Sequence, residues 1–380
     1  MSPVFIDYYV LQTVPPSNLN RDDQGSPKTA YYGGVQRARV SSQAWKRPVR
    51  VQFRDTATND ILGIRTKRVL EVLRDRITMR SDAQQEEATE LAKAVLGAVG
   101  IKLATPRAPK GEEPGPDEAG YLVFLGNRQF DRLADFAIGA RGEDAAATIT
   151  AGKKKLKEIA KRDASIDVAL FGRMVADDTD LNVDAAAQVA HAISVHQVVP
   201  EADYFTAVDD AKDQSDDETD AGAAMIGTVE FNSSTLYRYA TVNLGHLQEN
   251  LGDAEASRIA VEAFTHGFVT TIPSGKQNTF AHGTLPDLVV VSIRQTQPVN
   301  LVGAFERPVK TDYVQQATER LVKRAQDVDA AYGTTPSASW VVTVGDETSA
   351  ALALASSGKS SSLETLVTEL GQAVLTQLQA

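Results

Sequence analysis

The 380-residue chain is 42% hydrophobic and 23% charged, proportions that argue against wholesale disorder and membrane spanning, at a length that suggests about two or three structural units. Its formal net charge is −11. It has no cysteines, which removes disulfides, thiolate metal sites and cysteine nucleophiles and leaves five histidines for metal or acid–base work.

The first element, "VFIDYYVLQ", is apolar and aromatic and reads as a buried strand that leaves the core into the turn-rich "TVPPSNLNRDDQGSP". The start lacks a basic n-region and is broken by Asp7, so no secretory leader is expected and the chain is expected to stay in the cytoplasm. Val35–Val40 is β-permissive. Ser41 or Ser42 then makes a good N-cap for a helix carrying Gln43, Trp45 and Lys46, and Pro48 is expected to end or kink that helix early. Trp45 is read as core rather than as a base-stacking platform.

From Asn59 to Asp180 the apolar residues recur at helical spacing, as in "AQQEEATELAKAVLGAVG", which predicts one helical insertion. Within it, Thr105–Gly120 holds four prolines and three glycines and reads as a surface loop. A helix is predicted over "VDAAAQVAHAISVH", followed by an acidic segment and the strand-like "MIGTVEFNSSTLYRYATVNL". A helix from about Ala254 to Thr271, a strand "DLVVVSIRQ" and a C-terminal helix complete the order. Strands at both ends with helices between them predict an α+β domain split by additions, with ferredoxin-like topology.

Charge is distributed unevenly. Residues 21–54 carry eight Lys/Arg against Asp22 and Asp23, and Gln36–Arg54 contains no acid at all. A second basic block, "KKKLKEIAKR", covers Lys153–Arg162, while Asp209–Asp220 holds seven carboxylates and one lysine. An acidic protein with one basic face can hold a nucleic acid, whereas plain solvated charge is the alternative. Lys and Arg for charge, Ser and Gln for hydrogen bonds and a helix N-terminus are what a phosphate backbone requires.

Other motifs carry less. "ALASSGKS" formally matches the looser phosphate-loop pattern, but only twenty residues follow Ser360, too few for the helix and acidic strand such a site needs. "SGKQ" at Ser274–Gln277 lacks the spaced glycine. His191 and His196, five apart on the predicted helix, do not share a face and have no carboxylate at zinc-like spacing, so they read as structural. The acidic run lacks the glycine and glutamate of a calcium loop. No nucleophile elbow or dinucleotide turn is present, so no enzyme, metal or cofactor is expected.

Taken in order, "LQTVPPSNLNRDDQGSPKTAYYGG", "RARVSSQAWKR", "IDVALFGRM", "AHAISVHQV", "DYFTAVDD" and "GTVEFNSSTLYRYA" closely resemble the CasC family, the guide-RNA-binding backbone subunit of the type I-E CRISPR effector complex Cascade. The resemblance spans Leu11 to Ala240 and weakens beyond. It implies an α+β protein shaped like a hand. An RRM-like (ferredoxin-like) palm would occupy residues 1–58, 181–198 and 229–380, the last with C-terminal helices. A helical fingers insertion would fill 59–180 and a thumb β-hairpin 199–228.

The same resemblance implies a non-catalytic protein without cofactor or membrane contact. Its copies would polymerise along a CRISPR guide RNA as a helical filament, kink it at intervals and present its bases to target DNA in prokaryotic antiviral defence. Implied partners are neighbouring copies, the large, small and guide-end-capping Cascade subunits and, indirectly, the recruited nuclease-helicase. Arg21, Lys28, Arg39, Ser41, Ser42, Gln43, Lys46 and Arg47 match the family's guide-backbone contacts, and Met174 falls beside a displaced base. Lys153, Lys154, Lys155, Lys157 and Lys161 match a fingers helix that touches DNA. Gln36 stands where relatives can be basic and Pro48 interrupts a helix that can run on, so contacts beyond Arg47 are not carried over. Two rivals remain: an RNA-processing endoribonuclease of RRM-like lineage and a generic single-strand RNA coating protein.

Overall fold

A computed structural model describes residues 3–56, 61–106, 115–162, 164–175, 179–207 and 225–379. Strands β1 (Phe5–Ser17), β2 (Thr29–Tyr32) and β3 (Val35–Val40) lead into α1 (Ser42–Thr56). Next come β4 (Gly63–Thr66), α2 (Val69–Arg80), α3 (Gln85–Val99), β5 (Leu103–Ala104), β6 (Glu118–Ala119), β7 (Val123–Gly126), α4 (Asn127–Gly139), α5 (Ala145–Ala151), α6 (Lys153–Lys161) and α7 (Ile166–Phe171). The chain returns through β8 (Ala187–Val189), β9 (Ala192–Ser194), β10 (Glu201–Ala207) and β11 (Met225–Asn243). It closes with α8 (Leu244–Leu251), α9 (Ala254–Thr270), α10 (Gln277–Phe280), β12 (Leu288–Arg294), α11 (Tyr313–Tyr332), β13 (Ala338–Thr343) and α12 (Leu363–Gln379).

The main sheet runs β13-β12-β1-β11-β9-β3-β2, with β8 and β10 also on β11, and its pairings are antiparallel. Helices cover both faces, which is why β1 is apolar nearly throughout. Ile6, Tyr8 and Val10 face a core shared with Phe264 of α9 and Leu370 of α12, while Tyr9 and Leu11 face Leu321 of α11. A separate core holds the inserted helices together around Leu73, Leu96, Phe130, Leu133 and Leu156.

Two sequence expectations are corrected and two elements are added. Pro48 does not stop α1, which continues to Thr56. Trp45, Val49 and Phe53, four residues apart, are all buried, and Val49 lies so close to Gly267 of α9 that a Cβ there would sit 3.1 Å from it. Burying each such side chain contributes about 1.5–3 kcal/mol, which outweighs the ~3 kcal/mol cost of an interior proline. The predicted helix over Val183–His196 is instead β8 and β9, because pairing with β11 overrides the helix propensity of its alanines. Two elements that the sequence pattern did not reveal, α11 and β13, complete the far side of the sheet.

"ALASSGKS" covers a sheet edge. Ser356 N donates to Ser339 O (3.0 Å), Ser361 N to Val341 O (2.8 Å) and Thr343 N to Ser360 Oγ (3.1 Å), which satisfies backbone groups that β13 would otherwise leave open. The middle of the expected thumb, with Asp209–Asp220, lies outside the described residues, as does part of the Pro/Gly loop.

Candidate nucleic-acid interface

The turn after β1 is folded back onto the start of α1. Asp22 Oδ1 accepts from the backbone N–H of Gln24 and of Ser26 (both 2.9 Å), an acidic turn-former spent on its own loop. Lys28 N donates to Asn20 O, Arg39 N donates to Lys28 O (both 2.9 Å) and Ser41 N donates to Asn20 Oδ1 (2.9 Å). These bonds bring Arg21, Lys28, Arg39 and Ser41, separated by up to twenty positions, onto one edge. Ser41 acts as the N-cap, accepting from Ala44 N at 3.4 Å, and no acid occupies the first turn of α1.

Gln43, Lys46, Arg47 and Arg50 of α1 line a cleft of about 860 Å³ with Arg65 of β4, Phe171 at the end of α7 and Met174 just beyond it. Lys46 Nζ lies 5.7 Å from the centre of the Phe171 ring and the Arg50 guanidinium 5.4 Å from that of Phe124, so both cations are held by aromatic faces. Burial holds both below their usual basicity, and for Arg50 the nearby Arg65, Arg54 and Arg47 add to the effect against the pull of Asp167. Phosphate in the cleft would relieve that crowding.

Met174 is 83% exposed at the cleft edge. It is held there by its neighbour: Arg173, buried, donates to Leu181 O (2.7 Å), Phe124 O (3.1 Å) and Ala160 O (2.8 Å). Gly172 makes the turn with φ +79°, and a side chain there would crowd Val183 O.

The cationic stretch divides in the structure. Arg37 is fully buried and donates to Tyr32 O, Ser194 O and Phe305 O, binding the β2–β3 hairpin to β9 and to the segment before α11. Arg21, Lys28, Arg39, Lys46, Arg47 and Arg50 make no ion pair with any carboxylate among the described residues. Arg50 and Arg65, which the sequence reading did not assign, belong to the same cleft as Lys46. The acid-free stretch up to Arg54 was the signal for Arg50, hidden by misreading Pro48 as a stop, whereas Arg65 on β4 had none.

The lysine block lies on α6 beside a second cleft, about 1020 Å³, which faces α8 and shares Asn182, Val183 and Asp184 with the first. Lys154, Lys157 and Lys161 line it. Lys157 Nζ is 3.6 Å from Asp180 Oδ2, and Lys155 Nζ sits over the Phe136 ring at 5.7 Å. Lys153 is exposed. The arms of the expected thumb are present as the antiparallel pair β10–β11, with Tyr204 and Phe205 exposed. His191 is exposed between β8 and β9 and His196 is buried just after β9. Trp45 is buried in the core, as expected, with the Arg238 guanidinium 3.8 Å above its ring.

A mixed α/β chain with an antiparallel sheet and this edge has counterparts of known structure. A chain from a structure described as a pre-nicking CRISPR RNA-guided surveillance complex is 35% identical, with a TM-score of 0.81 across 97% of this chain and 100% of that one. A chain from another CRISPR RNA-guided surveillance complex is 30% identical, with a TM-score of 0.71 across 97% and 99% of the two. The fold is therefore that of a Cascade-like surveillance-complex subunit. The chain belongs to the CT1975-like protein family, whose model matches residues 6–369. No curated protein matches it.

Proposed function

We propose that this chain is the non-catalytic backbone subunit of a Cascade complex of type I-E, acting in the prokaryotic cytoplasm. Several copies line up along a CRISPR guide RNA, hold its phosphates on the α1 edge and leave its bases free to pair with target DNA. The observation that carries this reading is the row Arg21, Lys28, Arg39, Lys46, Arg47 and Arg50, none in an ion pair with a described carboxylate, on a chain with a net charge of −11. Sequence reading is left to base pairing, so the protein needs charge and shape but no base-specific contacts. The order β12-β1-β11-β9, with α1 and α9 packed against each other, supports an RRM-like palm. Met174 and the β10–β11 arms are the wedges that kink the guide, and α6 meets the DNA.

The test is guide-length RNA titrated with the Lys46→Ala/Arg47→Ala protein. Affinity should fall for every sequence alike, and the salt dependence should lose about one or two ionic contacts. Unchanged affinity and slope in a folded double variant would falsify a phosphate role. Incubation of the wild-type chain alone with guide precursor addresses the endoribonuclease rival, which predicts cleavage products.

A further inference from the structure

His191 shares its edge with Lys28 and Arg39, and no carboxylate among the described residues bonds to it. Arg39 pairs with Ile193 across β3 and β9, its Nε donates to Thr29 O at 3.1 Å, and its Nη1 lies 3.0 Å from His191 Nδ1. A guanidinium has only donors, so His191 Nδ1 accepts and the ring proton sits on Nε2. Arginine therefore fixes the tautomer of an exposed histidine, a task that surface carboxylates or carbonyls usually perform. Partial burial, then Arg39 and Lys28, hold the imidazole below its usual basicity, so it stays neutral at pH 7. Asp22 of the loop is already engaged by Gln24 N and Ser26 N.

We infer that His191 is a further RNA-backbone contact, in which its Nε2–H donates to a phosphate oxygen of the backbone that Lys28 and Arg39 attract by charge. The inference rests on the guide-RNA reading above and adds a contact that charge alone does not mark. Two cations supply the attraction; the neutral ring supplies a directed donor. Arg39, oriented by both Thr29 O and His191, keeps its remaining donors for a different phosphate oxygen, because Nε2–H points away from the guanidinium.

The experiment uses the full chain and guide-length RNA over a series of salt concentrations. H191F, which keeps the ring but removes both nitrogens, should lose about three- to tenfold in affinity, the value of one hydrogen bond, with the salt slope unchanged because no charge is lost. H191Q should restore affinity, since its amide oxygen can accept from Arg39 and its amide nitrogen can donate outward. Arg39→Gln should lower both the affinity and the slope, by about one contact. Wild-type binding by H191F overturns the inference, as does an H191F loss that carries the salt slope down with it, which would mean that His191 acts only by holding Arg39. If Lys46→Ala/Arg47→Ala also binds like wild type, the guide-RNA reading itself has failed; if only H191F does, the reading stands without His191.

Discussion

The inserted helices and the α1 edge are both rich in arginine and use it in opposite ways. In the insertion, Arg68 meets Glu71 at 2.5 Å, Arg74 meets Asp75 at 2.7 Å, Arg76 meets Asp131, Arg80 meets Asp135 at 2.8 Å and Arg141 meets Asp82 and Glu87. On the α1 edge, Arg21, Lys28, Arg39, Lys46, Arg47 and Arg50 form no ion pair with a described carboxylate, and only Arg50 feels one nearby, Asp167. A count of basic residues treats the two regions alike. Only the partners separate charge spent inside the protein from charge available to a ligand, and each exposed internal pair contributes under about 1 kcal/mol.

The sharpest way to break the comparison is Arg37, which lies in the acid-free stretch yet belongs to neither group. It is wholly buried and its donors all go to backbone carbonyls of three separate segments. The hairpin turn beside it leaves no slack, since a Cβ on Gly33, at φ +61°, would collide with Glu306 O. Arg37→Met should cost about 3 kcal/mol in urea unfolding, because buried carbonyls lose a charged donor. The salt slope for RNA of the folded fraction should be unchanged. A change of slope with intact stability would move Arg37 into the ligand-binding group.

Much of this was legible in the sequence, and the misses share one cause. The long strand β11, helix α9, the buried Trp45 and the gathering of the basic residues all follow from local pattern. The Cascade-like complex class followed from motifs in order. Tertiary contacts decided the rest: β8 and β9 are strands because β11 pairs with them, α1 outruns Pro48 because α9 receives it, and Arg37 is internal because three segments present carbonyls to it. Sequence shows which residues are charged but not which have partners, so Arg65 could not be told from Arg74 and Arg76.

Arg50 and Arg65 sharpen the comparison from the other side. They face each other across the cleft from α1 and β4, so Arg50→Ala/Arg65→Ala should lower RNA affinity about tenfold and the salt slope by about one or two contacts, with unfolding shifted by less than ~0.5 kcal/mol. Full retention of the slope would confine the phosphate path to residues before Pro48. The lysines of α6 lie between the two extremes. Lys154 and Lys161 line the second cleft, and Lys157 is already near Asp180, so Lys154→Ala/Lys161→Ala should weaken DNA association several-fold more than Lys157→Ala does. Guide RNA should stay loaded in both, and its release would assign α6 to the guide.

Arg76 checks the paired region. Its guanidinium reaches Asp131, Asn127 O and Asn127 Oδ1 and lies over Phe130 at 5.6 Å. Arg76→Ala should cost about 1 kcal/mol of stability and leave RNA affinity and salt slope alone. An RNA defect without a stability defect would show that paired cations also serve the ligand.

The smallest expected effect separates the two histidines of "AHAISVHQV" by pH. His196 is buried, with Nδ1 2.8 Å from Gln197 O, Thr235 N donating to Nε2 at 3.2 Å, and its ring stacked on Tyr313 at 3.9 Å. Nε2 is therefore an acceptor, and a proton there would break the Thr235 bond. Burial and Arg37 lower the basicity of this imidazole below the ordinary 6.5, against the pull of Gln197 O. Between that lowered value and 6.5 the unfolded chain binds more protons than the folded one, so stability falls as pH drops through this window and levels off, for this group, once both states are protonated. The urea midpoint of the wild type should therefore fall more between pH 7 and pH 5 than that of His196→Gln, whose side chain does not titrate. Parallel profiles would mean that the fold accommodates the imidazolium. His191, exposed on the ligand edge and also held below its usual basicity, should add a smaller contribution of the same sign to the unfolding profile and register mainly in RNA affinity.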